Sequence, residues 1–252
     1  MTGHPPIGTA VEWRPVPRPR RSVLEGRHAR VRLLNATGDT EALFAQSHPP
    51  LADPKLWTYL PTGPYADADE MHGALEQAER SEDPLFFTLV ALADERPAGI
   101  ASYLRITPEH GVIEIGHIWF GASLRRSTAA SEVIFLLAAH AFDELGYRRL
   151  EWKCDALNQA SRRPAERFGF RFEGVFRRHM VVKGRNRDTA WYAITDEEWP
   201  GVRHGFRAWL SPDNFDAEGR QRRPLGELIA EGERRPSSDQ PGRGESARPE
   251  QS

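Results

Sequence analysis

The chain has 252 residues, of which 39% are hydrophobic and 28% charged, and its formal net charge is −2. A nearly neutral chain has no overall attraction for nucleic acid, which argues against nucleic-acid binding as its main function. Its single cysteine excludes an intramolecular disulfide framework and favours a reducing compartment. The start of the chain lacks the apolar run of a signal peptide, and the longest apolar stretch, Val133–Phe142, covers about half a membrane span. We therefore expect a soluble, cytoplasmic protein that binds neither nucleic acid nor membranes.

The two ends of the chain differ in composition from the middle. Five prolines lie within residues 5–20, and arginine is frequent over residues 14–30. Residues 231–252 contain one apolar side chain, Ala247, too little to offset the entropy of ordering this segment. The basic arm is either solvated or a phosphate-binding segment. The composition predicts a flexible Pro/Arg-rich arm at residues 1–21, one domain at residues 22–210 and a mostly disordered tail at residues 211–252.

The first half of the chain is predicted to form two helices and four strands. Asp67 followed by Glu70 resembles a capping box and marks the start of the second helix. The other elements follow from apolar alternation and turn residues. In chain order they are a strand at Val31–Leu34, a helix at Asp39–Gln46, a helix from Asp67 to about Arg80, and strands at Leu85–Leu92, Ala98–Ile106 and Val112–Phe120.

A loop rich in aromatic and turn residues, Leu56–Tyr65, connects the two helices. Two interpretations stay open for it. Its aromatic side chains either pack beneath the loop or form one wall of an acceptor site, since loops on a rigid scaffold often carry function. The candidate substrate-binding residues are Trp57, Tyr59 and Tyr65.

The second half alternates helix and strand. Apolar residues at helical spacing from Ala130 to Leu145, followed by Gly146, predict a long helix. A strand at Leu150–Cys154 comes next. Asn158 and Gly169 are placed to cap a helix over Gln159–Arg167, and a hairpin is predicted at Phe170–Val182 and Thr189–Ile194, joined by Lys183–Arg187. This order predicts an α+β fold with a mixed, mostly antiparallel central sheet flanked by helices.

The junction between the strand at Val112–Phe120 and the long helix is rich in small residues, from Ser127 to Ser131, and is preceded by Arg125 and Arg126. Unpaired amides and the helix dipole at a helix start suit an anion such as pyrophosphate. An ordinary helix start beside two solvated arginines fits the same spacing. A second constellation, from Asn158 to Ser161 and ending in Gly169-Phe170, needs no ligand when taken alone.

Taken together, the two constellations resemble the acetyl-CoA-binding core of the Gcn5-related N-acetyltransferase (GNAT) superfamily. Glu114-Ile-Gly116, the Asn158-x-x-Ser161 helix start, and Trp191-Tyr192 followed by Glu198-Trp199 are similar to the ribosomal-protein N-acetyltransferase branch. The resemblance covers about Leu24–Trp199. It implies an acetyl-CoA-dependent N-acetyltransferase that acts on a primary amine, either on a protein N-terminus or on a small molecule. A homodimer is compatible with such a domain.

The resemblance also assigns the site residues. The acetyl-CoA site would contain a backbone amide for the oxyanion near Ile118–Phe120 and the phosphate loop, whose first glycine is replaced here by Thr128. A threonine is costly there if that position needs positive φ. The implied acetyl-CoA-binding residues are Ile118, Trp119, Phe120, Arg125, Arg126, Ser127, Thr128, Ala129, Ala130, Ser131, Asn158 and Ser161.

Direct attack on a thioester needs a group that takes the proton of the amine. The resemblance favours Glu114, His117 is the alternative, and a third interpretation is that neither side chain is essential. Regular alternation would put the two side chains on opposite faces of the strand. The tyrosine acid of many superfamily members is replaced by Ala165, which leaves Ser161 or water to protonate the sulfur. Because a free thiol has a pKa of about 8.5, a strong acid is dispensable.

Other residues indicate no further chemistry. Cys154 is interpreted as a core residue, and the nine histidines lack metal-ligand spacing, so we expect no metal. The alternative function is a catalytically degenerate module that binds CoA as a sensor or in an interaction, which the residues Thr128 and Ala165 favour.

Overall fold

The computed structural model describes residues 6–234. The chain divides into two compact units, Met1–Asp196 and Glu197–Ser252. The first unit contains one eight-stranded sheet with the strand order β1-β2-β3-β4-β5-β6-β8-β7. The strands are β1 Leu24–Glu25, β2 Ala29–Leu33, β3 Leu85–Ala91, β4 Arg96–Thr107, β5 Val112–Phe120, β6 Arg149–Asp155, β7 Arg171–Val182 and β8 Arg185–Thr195.

Strands β5 and β6 pair in parallel, whereas every other neighbouring pair is antiparallel. This arrangement confirms the predicted α+β class with a mixed, mostly antiparallel sheet. A parallel pair needs a crossover connection, because its two strands start at the same end of the sheet. The long helix predicted between β5 and β6 provides that connection.

Four helices cover the sheet of the first unit. They are α1 Ala36–Ser47, α2 Ala68–Arg80, α3 Thr128–Ala139 and α4 Gln159–Arg167. Ile100 of β4 packs with Leu43 of α1 and Met71 of α2, whereas Tyr103, three residues further along β4, donates its hydroxyl to the Leu137 carbonyl of α3 at 2.5 Å. Helices α1 and α2 therefore cover one face, and α3 covers the other. Helix α4 lies on the α3 face, where Ser161 accepts a hydrogen bond from the Trp152 indole.

The start of α2 and the end of α4 follow the sequence signals closely. The Asp67 carboxylate accepts a hydrogen bond from the Glu70 amide at 2.8 Å, and Glu70 in turn accepts from the Ala66 amide at 2.6 Å. The pair resembles a capping box, except that Glu70 accepts from the amide of Ala66, one residue before the N-cap, and not from the amide of the N-cap itself. Gly169 follows α4 with φ of +89°, the left-handed conformation that ends a helix.

Two local predictions are wrong in detail. The helix predicted from Ala130 to Leu145 ends at Ala139 and continues as one π-helical turn, His140–Glu144. The hairpin between β7 and β8 has a two-residue turn, Lys183-Gly184, instead of the predicted five-residue connection. Both turn residues have positive φ, 49° and 71°, which matches the twist of the flanking strands and lets the ladder reach the Val182–Arg185 pair.

The N-terminal arm was predicted to be flexible, but part of it is held against the turn between β4 and β5. The Trp13 indole donates to the Glu109 carbonyl at 2.8 Å, and the Val16 amide donates to the Pro108 carbonyl at 3.2 Å. Residues 6–21 contain neither helix nor strand. Their order therefore comes from a few tertiary contacts, which local composition does not encode. Residues 1–5 lie outside the described part of the chain.

The second unit contains two further helices, α5 Trp199–Leu210 and α6 Leu225–Arg234. The predicted boundary at residue 210 is therefore misplaced, because it falls inside this unit, and α6 lies in the segment predicted to be mostly disordered. Leu225, Leu228 and Ile229 are each at most 5% exposed and provide the apolar face that a disordered tail would lack. The rest of the predicted tail, residues 235–252, lies outside the described residues.

Glycines let α5 and α6 approach closely. A Cβ at Gly205 of α5 would lie 2.6 Å from Ile229 Cα of α6, a backbone contact that cannot relax by a rotamer change. Gly205→Ala is therefore expected to destabilise this helix pair by about 1–3 kcal/mol through overpacking. Faster hydrogen exchange of the α6 amides, measured by mass spectrometry, would report this. Gly226→Ala is the matched control, since a Cβ there has nothing within 4 Å. Equal exchange in both variants would contradict the packing.

Candidate active site

The site begins where strands β5 and β6 separate. Their parallel ladder runs from the Val112–Arg149 pair to the Ile115–Trp152 pair and then ends. Strand β5 nevertheless continues to Phe120, and β6 to Asp155. We call the opening between residues 116–120 and 153–155 the β5–β6 cleft. Because the strands no longer pair there, backbone amides of β5 that face β6 have no ladder partner and can bind an oxygen of a ligand in the cleft.

The loop at residues 121–127 connects the end of β5 to the start of helix α3. Ser127 is its N-cap, and the Ser127 Oγ accepts from the Ala130 amide at 3.1 Å. The amides of Thr128 and Ala129 occupy the first turn, where the helix dipole favours an anion. The Arg125 and Arg126 side chains precede the helix and are exposed to solvent. The segment therefore has both the backbone geometry and the charge of an anion site.

The left-handed residue of this loop is Arg126, with φ of 60°, and not Thr128, which is the first residue of α3. Thr128 therefore does not carry the backbone strain that a threonine would have at a position of positive φ. Thr128 and Ser127 are half-buried, whereas Ala129, Ala130 and Ser131 are buried. Ser131 accepts a hydrogen bond from Arg167 of α4 at 3.0 Å, so its side chain ties the two helices of this face together.

The opposite side of the cleft is formed by the start of α4. Asn158 stands at the N-cap position, but its side chain makes no capping hydrogen bond, contrary to the capping role expected of it. The Ser161 hydroxyl accepts from the Trp152 indole nitrogen at 2.9 Å. Of the residues proposed on β5, Trp119 is buried in the α1–α2 core, and Ile118 and Phe120 are half-buried.

Glu114 lies on the sheet face that α1 and α2 share, opposite to Ser161. Its partner in the β6 ladder is Glu151, and the neighbouring side chain on that face is Lys153. The Lys153 Nζ lies 2.6 Å from Glu114 Oε2 and 3.2 Å from Glu151 Oε2. The side chains of all three are at most 8% exposed, so this is a buried cluster of charges.

Burial raises the pKa of the Glu114 carboxyl above its usual range, and the neighbouring Lys153 and Arg105 charges oppose that shift. The Lys153 ammonium also lies 3.9 Å from the ring centroid of Trp191 on β8, close enough for a cation–π contact. Sequence reasoning missed Lys153. The available signal was its strand alternation with Glu151, which places both side chains beside Glu114 once the parallel β5–β6 register is known.

The second candidate base, His117, lies on the same face as Glu114, which corrects the expectation that the two face opposite ways. The β4–β5 ladder jumps from the Ile100–Trp119 pair to the Ser102–Gly116 pair. Two residues of β5 therefore stand opposite Ala101 of β4, which is a β-bulge. His117 has φ of 50° in this bulge, and its Nδ1 lies 2.8 Å from the Ser102 Oγ. Ser102 faces the same side as Glu114, so the bulge has turned the imidazole onto that face.

The aromatic loop lies near this face and is tethered at two points. Lys183, in the β7–β8 turn, donates from Nζ to the carbonyls of Trp57, Thr62 and Gly63 at 3.0, 3.1 and 2.5 Å. The Tyr59 hydroxyl donates to the Leu157 carbonyl, just before α4, at 3.4 Å. The loop thus links the hairpin to the connection between β6 and α4.

The three aromatic residues of the loop divide between the two interpretations. Trp57 is 3% exposed and belongs to the α1–α2 core, so it packs beneath the loop. Tyr59 and Tyr65 are half-exposed, and the Tyr65 ring contacts Trp57 edge-on at 5.3 Å between centroids. The two tyrosines are therefore the members of this set that remain accessible to an acceptor.

Cys154 lies on the α3–α4 face and is 5% exposed, in agreement with its interpretation as a core residue. Burial raises the pKa of its thiol, which keeps the sulfur protonated at neutral pH. Within residues 6–234, no group of three or more His, Cys, Asp or Glu side chains is arranged to hold a metal ion. Among the helices of this described range, none is both long and apolar enough to cross a membrane.

A separated parallel strand pair, with a helix start at its mouth and a buried acid on one side, forms the candidate active site. Residues 30–171 match the family model of the acetyltransferase (GNAT) domain. The chain therefore belongs to the GNAT acetyltransferase family and is an N-acetyltransferase.

Known proteins support this assignment. A crystal structure of a GCN5-related N-acetyltransferase from Brucella melitensis is 47% identical, covers 87% of this chain and 99% of its own, and superimposes with a TM-score of 0.85. The uncharacterized N-acetyltransferase YnaD of Bacillus subtilis (strain 168) is 24% identical over 59% of this chain and 85% of YnaD. YdaF of the same organism, named as a candidate ribosomal N-acetyltransferase, is 26% identical over 63% of this chain and 79% of YdaF.

Proposed function

We propose that the protein transfers an acetyl group from acetyl-CoA to a primary amine, on a protein N-terminus or a small molecule, by direct attack on the thioester. The observation that carries this proposal is the β5–β6 cleft, which joins an anion site to a face bearing a buried carboxylate and an imidazole. Each end of the cleft suits one substrate. The proposed anion site suits CoA, which is anionic, and the face with the carboxylate and the imidazole suits an amine, which is cationic until it loses a proton.

The acetyl-CoA side is argued from the start of α3. The pyrophosphate would accept hydrogen bonds from the Thr128 and Ala129 amides, with Arg125 and Arg126 compensating its charge. The pantetheine arm would then run through the β5–β6 cleft past Asn158, whose side chain is not used for capping. A backbone amide of β5 near Ile118–Phe120 would stabilise the thioester oxygen as it gains negative charge.

The proton transfers are argued from the two faces of the sheet. Glu114 and His117 share the α1–α2 face and are the groups proposed to serve the amine. Ser161 lies on the α3–α4 face, where it or water would protonate the departing sulfur. Placing the two transfers on opposite faces keeps the base and the leaving group apart, so the proton need not pass directly between them.

Release of free CoA thiol across a panel of amines tests the proposal. The panel contains small primary amines and N-terminal peptides, including those of ribosomal proteins, because YdaF carries a ribosomal name. Amine-dependent release above the rate of thioester hydrolysis supports the enzyme. CoA binding without release for any amine would instead support the sensor or interaction module, for which the argument from a strained Thr128 no longer holds.

Lys183→Met tests the acceptor side of the same proposal. The methionine keeps the length of the side chain but removes three donors to the aromatic loop. Because an untethered loop must be ordered again when the acceptor binds, we expect the KM for the amine to rise about threefold to tenfold, with kcat and acetyl-CoA affinity nearly unchanged. Steady-state kinetics at saturating acetyl-CoA provide the measurement, with Lys55→Met as an exposed control. An unchanged KM would remove the loop from the acceptor site.

A further inference from the structure

The β-bulge in β5 forces a histidine into a conformation that β-branched and bulky residues avoid. His117 has φ of 50°, and it stands with Ile118 opposite the single residue Ala101 of β4. Bulges re-aim side chains and are frequent beside active sites. A non-glycine residue at positive φ persists only where its surroundings hold it there. Here the surroundings are Ser102, whose Oγ binds the ring, and Phe86, whose ring centroid lies 5.1 Å from that of His117.

The hydrogen bonds of Ser102 favour one tautomer of the imidazole. The Ser102 Oγ lies 3.2 Å from the Gly116 carbonyl and 2.8 Å from His117 Nδ1. With the single hydroxyl proton donated to the carbonyl, the oxygen accepts from Nδ1, and we infer that the ring proton lies there. The Nε2 atom of the neutral ring is then left with its lone pair, which is the form that a general base requires.

Glu114 is poorly suited to the same task. Its Oε2 lies 2.6 Å from Lys153 Nζ and 3.5 Å from Arg105 Nε. A proton taken up by this carboxyl would cancel its charge and leave the buried Lys153 ammonium with less compensation. Burial raises the pKa of Glu114, but the Lys153 and Arg105 charges oppose that shift, and the short contact to Lys153 gives the carboxylate a role in holding the cations of this face in place.

We propose that His117 Nε2 is the general base of the transfer and that Ser102 is its positioning residue. This inference rests on the proposed function. As the amine nitrogen forms its bond to the thioester carbon, the N–H proton passes to Nε2. The C–S bond then breaks, and the sulfur leaves with the electron pair. It takes a proton from water, or from Ser161, which solvent then reprotonates, and the imidazolium returns its proton to solvent. One amide and one thiol are formed, with one proton released when the amine enters as an ammonium.

The charges around the ring determine the expected pH dependence. The charged and titratable groups on this face include Glu114 on β5, Arg105 on β4, Arg149, Glu151 and Lys153 on β6, His179 on β7 and Arg187 on β8. Burial lowers the pKa of His117 below its ordinary value of 6.5, and the positive charge of Arg187 lowers it further. The unprotonated base is thus the main form at neutral pH. We expect kcat to be lost as the pH falls through this pKa and to level off above it.

Three variants compared over a pH series test the assignment. His117→Gln is expected to lower kcat by about 10²–10⁴ and to abolish the acidic limb of the kcat profile. Glu114→Gln should lower kcat by a smaller factor and retain the acidic limb. His110→Gln makes the same change at an exposed turn residue and should behave as the parent. A Glu114→Gln profile without the acidic limb, beside a His117→Gln profile that keeps it, would overturn the inference in favour of Glu114.

The tautomer provides a readout that does not depend on activity or on the folding of a variant. Nitrogen-15 NMR of the histidine-labelled parent protein should show one ring protonated at Nδ1, assigned by its absence from His117→Gln among the nine histidines. Ser102→Ala should lose this preference and lower kcat about tenfold while keeping the acidic limb. A His117 ring protonated at Nε2 would overturn the inference. If no amine of the panel stimulated CoA release by the parent protein, the proposed function would fail. The tautomer of His117 could still be measured in that case.

Discussion

Glu132→Gln is expected to lower the free energy of unfolding by about 3 kcal/mol or more, because a buried carboxylate would lose its charge-assisted hydrogen bonds to three backbone amides. The Glu132 carboxylate in α3 is 4% exposed and accepts from the backbone amides of Arg27, His28 and Ala29 at 2.9, 2.6 and 2.8 Å. Hydrogen bonds to a charged group contribute about 1.5–3 kcal/mol each, and a buried amide left without its partner costs a further desolvation penalty. Glutamine keeps one acceptor oxygen, but its NH₂ group, a hydrogen-bond donor, would face backbone N–H groups that are donors themselves.

Chemical denaturation monitored by circular dichroism measures this loss. Glu144→Gln is the matched control, because Glu144 is exposed at the end of the π-helical turn, and it should stay within about 0.5 kcal/mol of the parent. The prediction is refuted if the two variants have the same midpoint and slope. Since Glu132 fixes the turn between β1 and β2 onto α3, its loss should also loosen the helix whose start is the proposed anion site.

Thr128→Asp is expected to weaken acetyl-CoA binding at least tenfold while leaving the thermal midpoint unchanged or slightly raised. A carboxylate in the first turn of α3 interacts favourably with the helix dipole by about 0.3–1 kcal/mol. The same carboxylate would stand where the pyrophosphate is proposed to bind. Two like charges about 4 Å apart repel by roughly 4 kcal/mol at an effective dielectric constant of 20, before solvent relaxation.

Stability and affinity thus change in opposite directions, which distinguishes a filled anion site from a damaged fold. The Thr128→Asn side chain has nearly the same shape as that of Thr128→Asp but carries no charge. This variant should bind acetyl-CoA within about threefold of the parent, as measured by calorimetry. Equal affinities of the Asp and Asn variants would show that the phosphates bind elsewhere. Raising the salt concentration should reduce the difference between the two variants, because the repulsion is partly exposed to solvent.

Much of the fold was predictable from local sequence signals. The capping box at Asp67, the glycine after α4 and the apolar alternation of β3, β4 and β5 each describe interactions within a few residues. Such interactions form whatever the rest of the chain does, so the sequence locates them. The order of these elements was sufficient for the α+β class and for the resemblance to the GNAT acetyltransferases, which the family match confirms.

Part of the candidate site was predictable for the same reason. Ser127, Arg125 and Arg126 were identified from a strand followed by a small-residue helix start, and that junction has the expected form. The roles proposed for Glu114, Ser161 and Asn158 remain predictions. Their positions became interpretable only when the parallel register of β5 and β6 and the two faces of the sheet were known.

Other features were decided only by the tertiary structure. Alternation assigns faces correctly as long as a strand is regular, but the extra residue in the β5 bulge reverses every assignment beyond it, including that of His117. The partners of Lys183 and Glu132 lie more than a hundred residues away in sequence. Composition alone also failed to find α6, whose apolar face becomes recognisable when it packs on α5. The sequence by itself therefore determined most of the elements of the first unit, the caps at Asp67 and Gly169, and the family. Register, strand separation and long-range hydrogen bonds determined which side chains share the cleft, because these depend on contacts between segments that no local pattern links.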